Sequence, residues 1–339
     1  MKRIVFPTIA LILIVSCSPI TQPAAATSTN VPTSTHLPTA TPTVTPTATP
    51  TASMVPTLTF TPSPTPTERQ TTLMGHEEER VQYLAEQGPA SEIPVLEYHG
   101  DNYYFDYGNA IVELSPAAFE NQMKWFHENH VHAVTGQELN DWFLGKIELP
   151  ARSVVLTFDV GNGSMIGIHR IITVFTKYQM FGIFTIFVDG MNPEESLKCV
   201  NDICWQGYRD AYLSGYVDIG SHTMTHRDFA TLTEKEGLAE LAVSKNIIEE
   251  KIGNGCMVNV LTWPYESVPD WGSDISTIGF TFAFGGNTYP ILKNAIWRNK
   301  PEDVYKLPRI LPPGSYGLSG RPNNKTLLQI MQMYTSGWK

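Results

Sequence analysis

Cysteine is scarce in this chain, and so is charge. Four cysteines in 339 residues exclude a disulfide-stapled scaffold, so the core must come from apolar packing. Lysine and arginine number 23 against 33 acidic residues, a formal net charge of -10. That balance argues against nucleic acid or an anionic lipid surface as the main partner and favours a neutral ligand. The apolar run from Ile4 to Val15 is too short for an ordinary membrane-spanning helix.

What is present begins with that run. Met1-Lys2-Arg3 supplies a basic start and Ser16-Cys17 follows the apolar stretch, the pattern of a secretory signal over residues 1–16. Ile14-Val15-Ser16-Cys17 also resembles the lipobox of bacterial lipoproteins, which implies cleavage before Cys17 and a lipid on its sulfur. A plain signal peptide with an incidental cysteine is the alternative. From about Pro23 to Thr67 the chain is almost entirely Thr, Pro, Ser and Ala, a composition that cannot bury a core and favours extended polyproline geometry. At about 3.1 Å per residue such a stalk would reach on the order of 140 Å at full extension. The division expected is a signal over 1–16, a lipid anchor and linker over 17–75, and a catalytic domain over 76–339.

Roughly 265 residues remain for that domain, enough for one large core. Short runs rich in branched and aromatic residues recur at Pro94–Tyr98, Val154–Phe158, Ile183–Val188, Tyr216–Ile219, Val258–Trp263 and Tyr305–Leu311. Amphipathic helices are expected between them. Ser115-Pro116 caps one, with Phe119, Met123 and Phe126 on a common face, and Thr233 with Glu236 opens another as a capping box. Alternation of this kind predicts an α/β fold, a parallel sheet closing into a distorted (β/α) barrel, with reactive groups at the carboxyl ends of the strands. His99, Asp159, His222 and the Pro264-Tyr265 turn all fall at such ends. His222 and His226 are imidazoles four residues apart that suit a zinc-like ion. The competing readings are hydrogen-bonded core histidines for that pair and a simple turn cap at Gly161 for Asp159. Cys199 and Cys204 could form a bridge, leaving Cys256 free.

Together these segments resemble the polysaccharide deacetylases of carbohydrate esterase family four, and in particular the extracellular branch that acts on biofilm polysaccharides. Ile93-Pro94-Val95-Leu96-Glu97-Tyr98-His99 resembles the opening strand of that branch, and Thr157-Phe158-Asp159-Val160-Gly161 resembles the Thr-Phe-Asp-Asp-Gly motif. Ser221-His222-Thr223-Met224-Thr225-His226 resembles the metal-binding motif, Trp263-Pro264-Tyr265 the Pro-Tyr turn, and Leu307-Pro308-Arg309-Ile310 the late arginine strand. The resemblance implies Asp159 as general base, His99 as acid, His222 and His226 as ligands of Zn²⁺ or another divalent transition metal, and Pro264 and Tyr265 as substrate-binding. It also implies an oxyanion contact from the Tyr265 amide. The chain departs from the pattern at Val160, where the metal-binding carboxylate belongs, at Thr262, where an arginine is usual, and at Glu266, where glycine is usual. Arg309 is expected to supply the missing positive charge beside Asp159. Metal-assisted removal of N-acetyl groups from a polysaccharide containing N-acetylglucosamine follows, by an enzyme lipid-anchored in the cell envelope with its catalytic domain outside the cytoplasmic membrane. The alternative is a catalytically impaired relative that retains the barrel as a carbohydrate-binding module.

Overall fold

The computed structural model describes residues 67–99, 114–161, 165–189, 203–286, 291–292, 304–314 and 323–338. The signal segment, Cys17, most of the linker and Cys199 lie outside the described residues, and with Cys199 the bridge to Cys204. Cys256 is buried as a free thiol.

Among the described residues nine strands alternate with helices. The strands are β1 (Glu92–Ile93), β2 (Val95–His99), β3 (His132–Ala133), β4 (Ser153–Val160), β5 (Gly182–Ile186), β6 (Val217–Ser221), β7 (Val260–Thr262), β8 (Phe282–Phe284) and β9 (Ile291–Leu292). The α-helices are α1 (Glu68–Gln87), α2 (Pro116–Glu128), α3 (Gly136–Phe143), α4 (Met165–Tyr178), α5 (Ile203–Ser214), α6 (Glu234–Ile252) and α7 (Leu327–Tyr334). Strands β2-β4-β5-β6-β7-β8 pair in that order, all parallel, with β3 beside the start of β4. Every residue of β4 is buried, as a central strand covered on both faces requires. β1 and β9 form a separate antiparallel pair.

The expected run Tyr305–Leu311 is not a regular strand. It contributes two isolated parallel bridges, Leu307 to Phe284 on β8 and Ile310 to Leu96 on β2. Pro308 between them has no N–H to donate to a ladder, so pairing is confined to single residues. Those bridges nevertheless join the first and last strands of the parallel set: Ile310 donates to Val95 O at 2.8 Å and Leu307 to Ala283 O at 2.8 Å.

Side chains alternate across the sheet with the period of two that strands impose. Leu156, Phe158 and Val160 join the large cluster formed with the helices, including Phe119, Ile171 and Phe175. Val95, Val155, Ile183 and Val260 fall in a second, smaller cluster with Trp142 and Phe282. Glu97, His99, Thr157, Asp159 and Thr185 continue that second face towards the carboxyl ends. Ser115 caps α2 with Pro116 at its first turn, and Thr233 and Glu236 form the capping box of α6. Helix α1 begins inside the range expected as linker. Thr67 and Gln70 form its capping box, and Arg69 donates to Tyr212 O, Val217 O and the Asp218 carboxylate.

Candidate active site

Two turns deliver the histidines. His222 follows β6, where Gly220 lets the backbones of β6 and β7 approach: a Cβ there would lie 2.8 Å from Val260 O. The ensuing loop is held in an uncommon shape, with Thr223 at φ 73° and His226 at φ 55°. Ser221 Oγ accepts from the Thr223 amide, Thr223 Oγ1 accepts from the His226 amide, and Glu240 accepts from Thr225. On the neighbouring turn Tyr265 and Glu266 also take left-handed φ values of 58° and 57°. Left-handed non-glycine residues cost free energy that surrounding contacts must offset, and they cluster at functional loops. The turns meet at His226, whose ring packs edge-on against His222 at 4.7 Å and Tyr265 at 4.8 Å between centroids.

His222 is prepared as a ligand. Its Nδ1 donates to Thr262 O at 2.9 Å, which leaves the Nε2 lone pair directed away from the strand. Burial pushes its pKa down to about 4, and burial also lowers that of His226, so both rings are neutral at physiological pH.

Asp159, the last residue but one of β4, lies on the inward face. Oδ1 accepts from Thr185 Oγ1 at 2.9 Å and Arg309 Nη1 at 2.8 Å, while Oδ2 lies 3.8 Å from Nε2 of His222 and 3.8 Å from Nε2 of His99. Burial alone would raise this carboxyl, but the Arg309 guanidinium, with His222 and His99, holds it well below the ordinary range. Asp159 is therefore ionised at any working pH. Val160 is 1% exposed in the cluster of Phe158 and Ile186, with no carboxylate in its place.

Arg309 gathers more acid than the sequence reading foresaw. Besides Asp159 it meets Glu97 Oε1 at 3.3 Å, and its Nε donates to Glu266 Oε1 at 2.8 Å. Burial opposes the guanidinium charge, but the three carboxylates hold its pKa above the usual value. Burial raises Glu97 and lifts Glu266 to about 7, against the pull of Arg309. His99 Nε2 lies 3.2 Å from Glu97, and burial lowers its pKa. Glu97 was missed by sequence, although its spacing of two from His99 on one strand places both on one face. Glu266 was noted only as a replaced glycine.

The donor set fits a divalent cation. Three carboxylates, Asp159 buried and Glu97 and Glu266 partly so, face one guanidinium, and the Glu266 Oε2 and His99 Nδ1 atoms are buried without hydrogen-bond partners. Among the described residues His222 and His226 do not assemble with a third donor. The three-donor grouping at this end is Glu97, His99 and Asp159, with ligand atoms within 4.8 Å of one another. Asp159 Oδ2 faces both histidine sets and is the carboxylate available to either.

Residues 146–281, which contain Asp159, both loop histidines and the Pro264-Tyr265 turn, match the polysaccharide deacetylase family. Over that stretch the chain is similar to polysaccharide deacetylases. YxkH of Bacillus subtilis (strain 168), named for polysaccharide deacetylases, is 24% identical over 184 residues, 54% of this chain and 61% of that protein. The chain thus spans less than two thirds of that relative's length. A crystal structure from Bacillus anthracis, described as a polysaccharide deacetylase, aligns with a TM-score of 0.55 at 22% identity over 72% of this chain and 69% of that one. The Streptococcus pyogenes deacetylase PplD, solved in complex with acetate, aligns with a TM-score of 0.57 at 15% identity over 72% of this chain and 98% of its own. These structures share the fold of this chain over the aligned residues. His99, Glu97 and Arg309 lie outside the residues matched to the family; the pairing of β2 with β4 sets Glu97 and His99 beside Asp159, and the closing segment brings Arg309.

Proposed function

We propose that this protein is a metal-dependent hydrolase that removes N-acetyl groups from a cell-surface or cell-wall polysaccharide containing N-acetylglucosamine. One observation carries the reading: Asp159 Oδ2, on a carboxylate that Arg309 keeps ionised at neutral pH, lies 3.8 Å from both His222 Nε2 and His99 Nε2. A base so placed has a prospective metal ligand on one side and a prospective acid on the other.

His222 and His226 would hold the ion, with Asp159 as the nearest anion. When bound, zinc or a similar ion lowers the pKa of a water and polarises the acetyl carbonyl. Thr185 and Arg309 occupy Oδ1 of Asp159, so Oδ2 is the oxygen left to accept a proton from the attacking water. His99 Nε2, 3.8 Å from that oxygen, would take the proton on through one bridging water and deliver it to the sugar nitrogen as the C–N bond breaks, releasing acetate and an amine. Pro264 and the exposed Tyr265 ring border the histidines, where the sugar would lie, and the Tyr265 amide is assigned to the oxyanion. The protein would act outside the cytoplasmic membrane, anchored through a lipid on Cys17 with the Thr/Pro-rich segment as stalk.

Val160 supports a second reading, in which the barrel binds glycan without hydrolysing it. Acetate release from poly-N-acetylglucosamine or chitin oligomers separates the two. Wild-type protein with Zn²⁺ should release acetate, and Asp159→Asn should lower the rate by about 10²-fold or more with sugar affinity retained. Equally negligible rates in both proteins, with glycan binding indifferent to chelator, would leave the binding module standing.

A further inference from the structure

A second set of metal-binding side chains lies away from the deacetylase site, where α1 packs against β3. His76 and Glu79 stand one turn apart on α1, and His132 lies on β3. The imidazole rings stack with centroids 4.3 Å apart and planes 14° from parallel. One carboxylate binds both: Glu138 Oε2 accepts from His76 Nε2 at 3.0 Å, and Oε1 from His132 Nε2 at 3.1 Å. Glu138 is itself held by the capping box of α3, accepting from the Thr135 amide at 2.9 Å.

This is the arrangement that precedes a metal in protein sites: a carboxylate takes one nitrogen of each imidazole, fixing ring and tautomer and leaving the other nitrogen as a ligand. His76 Nδ1 is buried and has no hydrogen-bond partner. His132 Nδ1 faces Glu79 Oε1 at 3.4 Å. The donors of His76, Glu79 and His132 lie within 4.8 Å of one another, a little wider than the roughly 3.3 Å between ligands of a tetrahedral zinc ion.

We propose that His76, Glu79 and His132 form a structural site for a divalent transition metal, with Glu138 as the carboxylate behind both histidines. The ion would join α1, the first described element after the Thr/Pro-rich segment, to the barrel through β3. A two-histidine, one-carboxylate set suits zinc, cobalt or nickel, and a water would complete the shell. The competing occupant is a proton. His132 has a carboxylate on each nitrogen, and although burial disfavours its charge, Glu138 and Glu79 raise its pKa to about 9. Arg80 also approaches Glu138 Oε1 at 3.6 Å and donates to Glu77. A proton on His132 satisfies Glu79 and Glu138 but leaves His76 Nδ1 without a partner, whereas a metal satisfies all three.

Untagged full chain carrying His222→Ala and His226→Ala tests the site apart from the proposed catalytic ion. Titrated with Co²⁺ or Zn²⁺ near pH 7.5, it should bind about one equivalent, with the visible absorption of four-coordinate cobalt. Adding Glu79→Gln or His76→Gln should weaken that binding at least tenfold. Glu79→Gln can still hydrogen-bond His132, so it keeps the comparison valid if His76→Gln fails to fold. Saturating zinc should raise the melting temperature by about 5–10 °C, and Glu79→Gln should abolish the rise. A folded double variant that binds no metal, or an equivalent untouched by Glu79→Gln and His76→Gln, would overturn the proposal and leave an imidazolium shared by two glutamates.

Discussion

Arg309 is ringed by Asp159, Glu97 and Glu266, and the mismatch between one buried cation and three neighbouring acids shapes the site's response to pH. Burial lifts Glu266 to about 7, so above about pH 4.5 the folded protein keeps a proton that the unfolded chain has lost. Its contribution to stability is thus full below about 4.5 and is lost as pH rises through about 7. His222 acts in the opposite sense: with its pKa lowered to about 4, its contribution is full above about 6.5 and lost as pH falls towards 4. In metal-free protein the stability of Glu266→Gln relative to wild type should therefore grow between pH 4.5 and 7, by on the order of 2 kcal/mol. Parallel stability curves for the two proteins across that range, from urea unfolding, would contradict it. Val160 invites a different substitution. Because it is buried among Phe158 and Ile186, Val160→Asp should cost about 3 kcal/mol or more without metal. Zinc should restore much of that loss and bind more tightly than to wild type, since the new carboxylate would have the ion as partner. A melting temperature unmoved by zinc in the variant would mean that position 160 does not reach the metal.

Among the elements, those with a strong period or a clear cap were readable. Ser115-Pro116 and the Thr233/Glu236 pair announce α2 and α6, and Val154 to Phe158 announces β4, because each signal resides within one segment. β3 and β8 are too short for a period of two to show. Helix α1 was not legible because what it buries is His76, Arg80 and Tyr83, so it carries no apolar stripe. Gly237 shows tertiary packing overruling local propensity. It lies in the first turns of α6, where alanine would gain up to about 1 kcal/mol in helix propensity. A Cβ there would nevertheless sit 2.1 Å from Cη2 of Trp271, which itself donates to Leu232 O. Gly237→Ala should accordingly lower the melting temperature, by several degrees in a thermal scan, and an increase would show that the indole can move aside.

At the scale of the whole molecule, closure decides where chemistry is possible. The bridges of Leu307 and Ile310 join the two ends of the parallel set, and Arg309 between them reaches Asp159, which is 150 residues away in sequence. The described residues include no helix long and apolar enough to cross a membrane. The proposed attachment by a lipid on Cys17 makes a direct prediction. Cys17→Ala should move the protein from the membrane fraction to the soluble or secreted fraction without changing its activity on soluble chitin oligomers. Retention of the variant in the membrane fraction would rule out that anchor.

The sequence alone pointed to the alternating strands and helices, the barrel and the resemblance to polysaccharide deacetylases, because strand period, helix caps and motif spacing are local properties of the chain. It also placed His99, Asp159, His222 and the Pro264-Tyr265 turn at one rim; in the structure His99, His222 and Arg309 lie around Asp159, and His226 packs between His222 and Tyr265. Only the tertiary structure revealed that Glu97 and Glu266 share Arg309 with Asp159, and that His76, Glu79 and His132 converge behind α1. Those groupings rest on Coulomb and burial terms between residues far apart in the chain, and such terms have no sequence period to betray them.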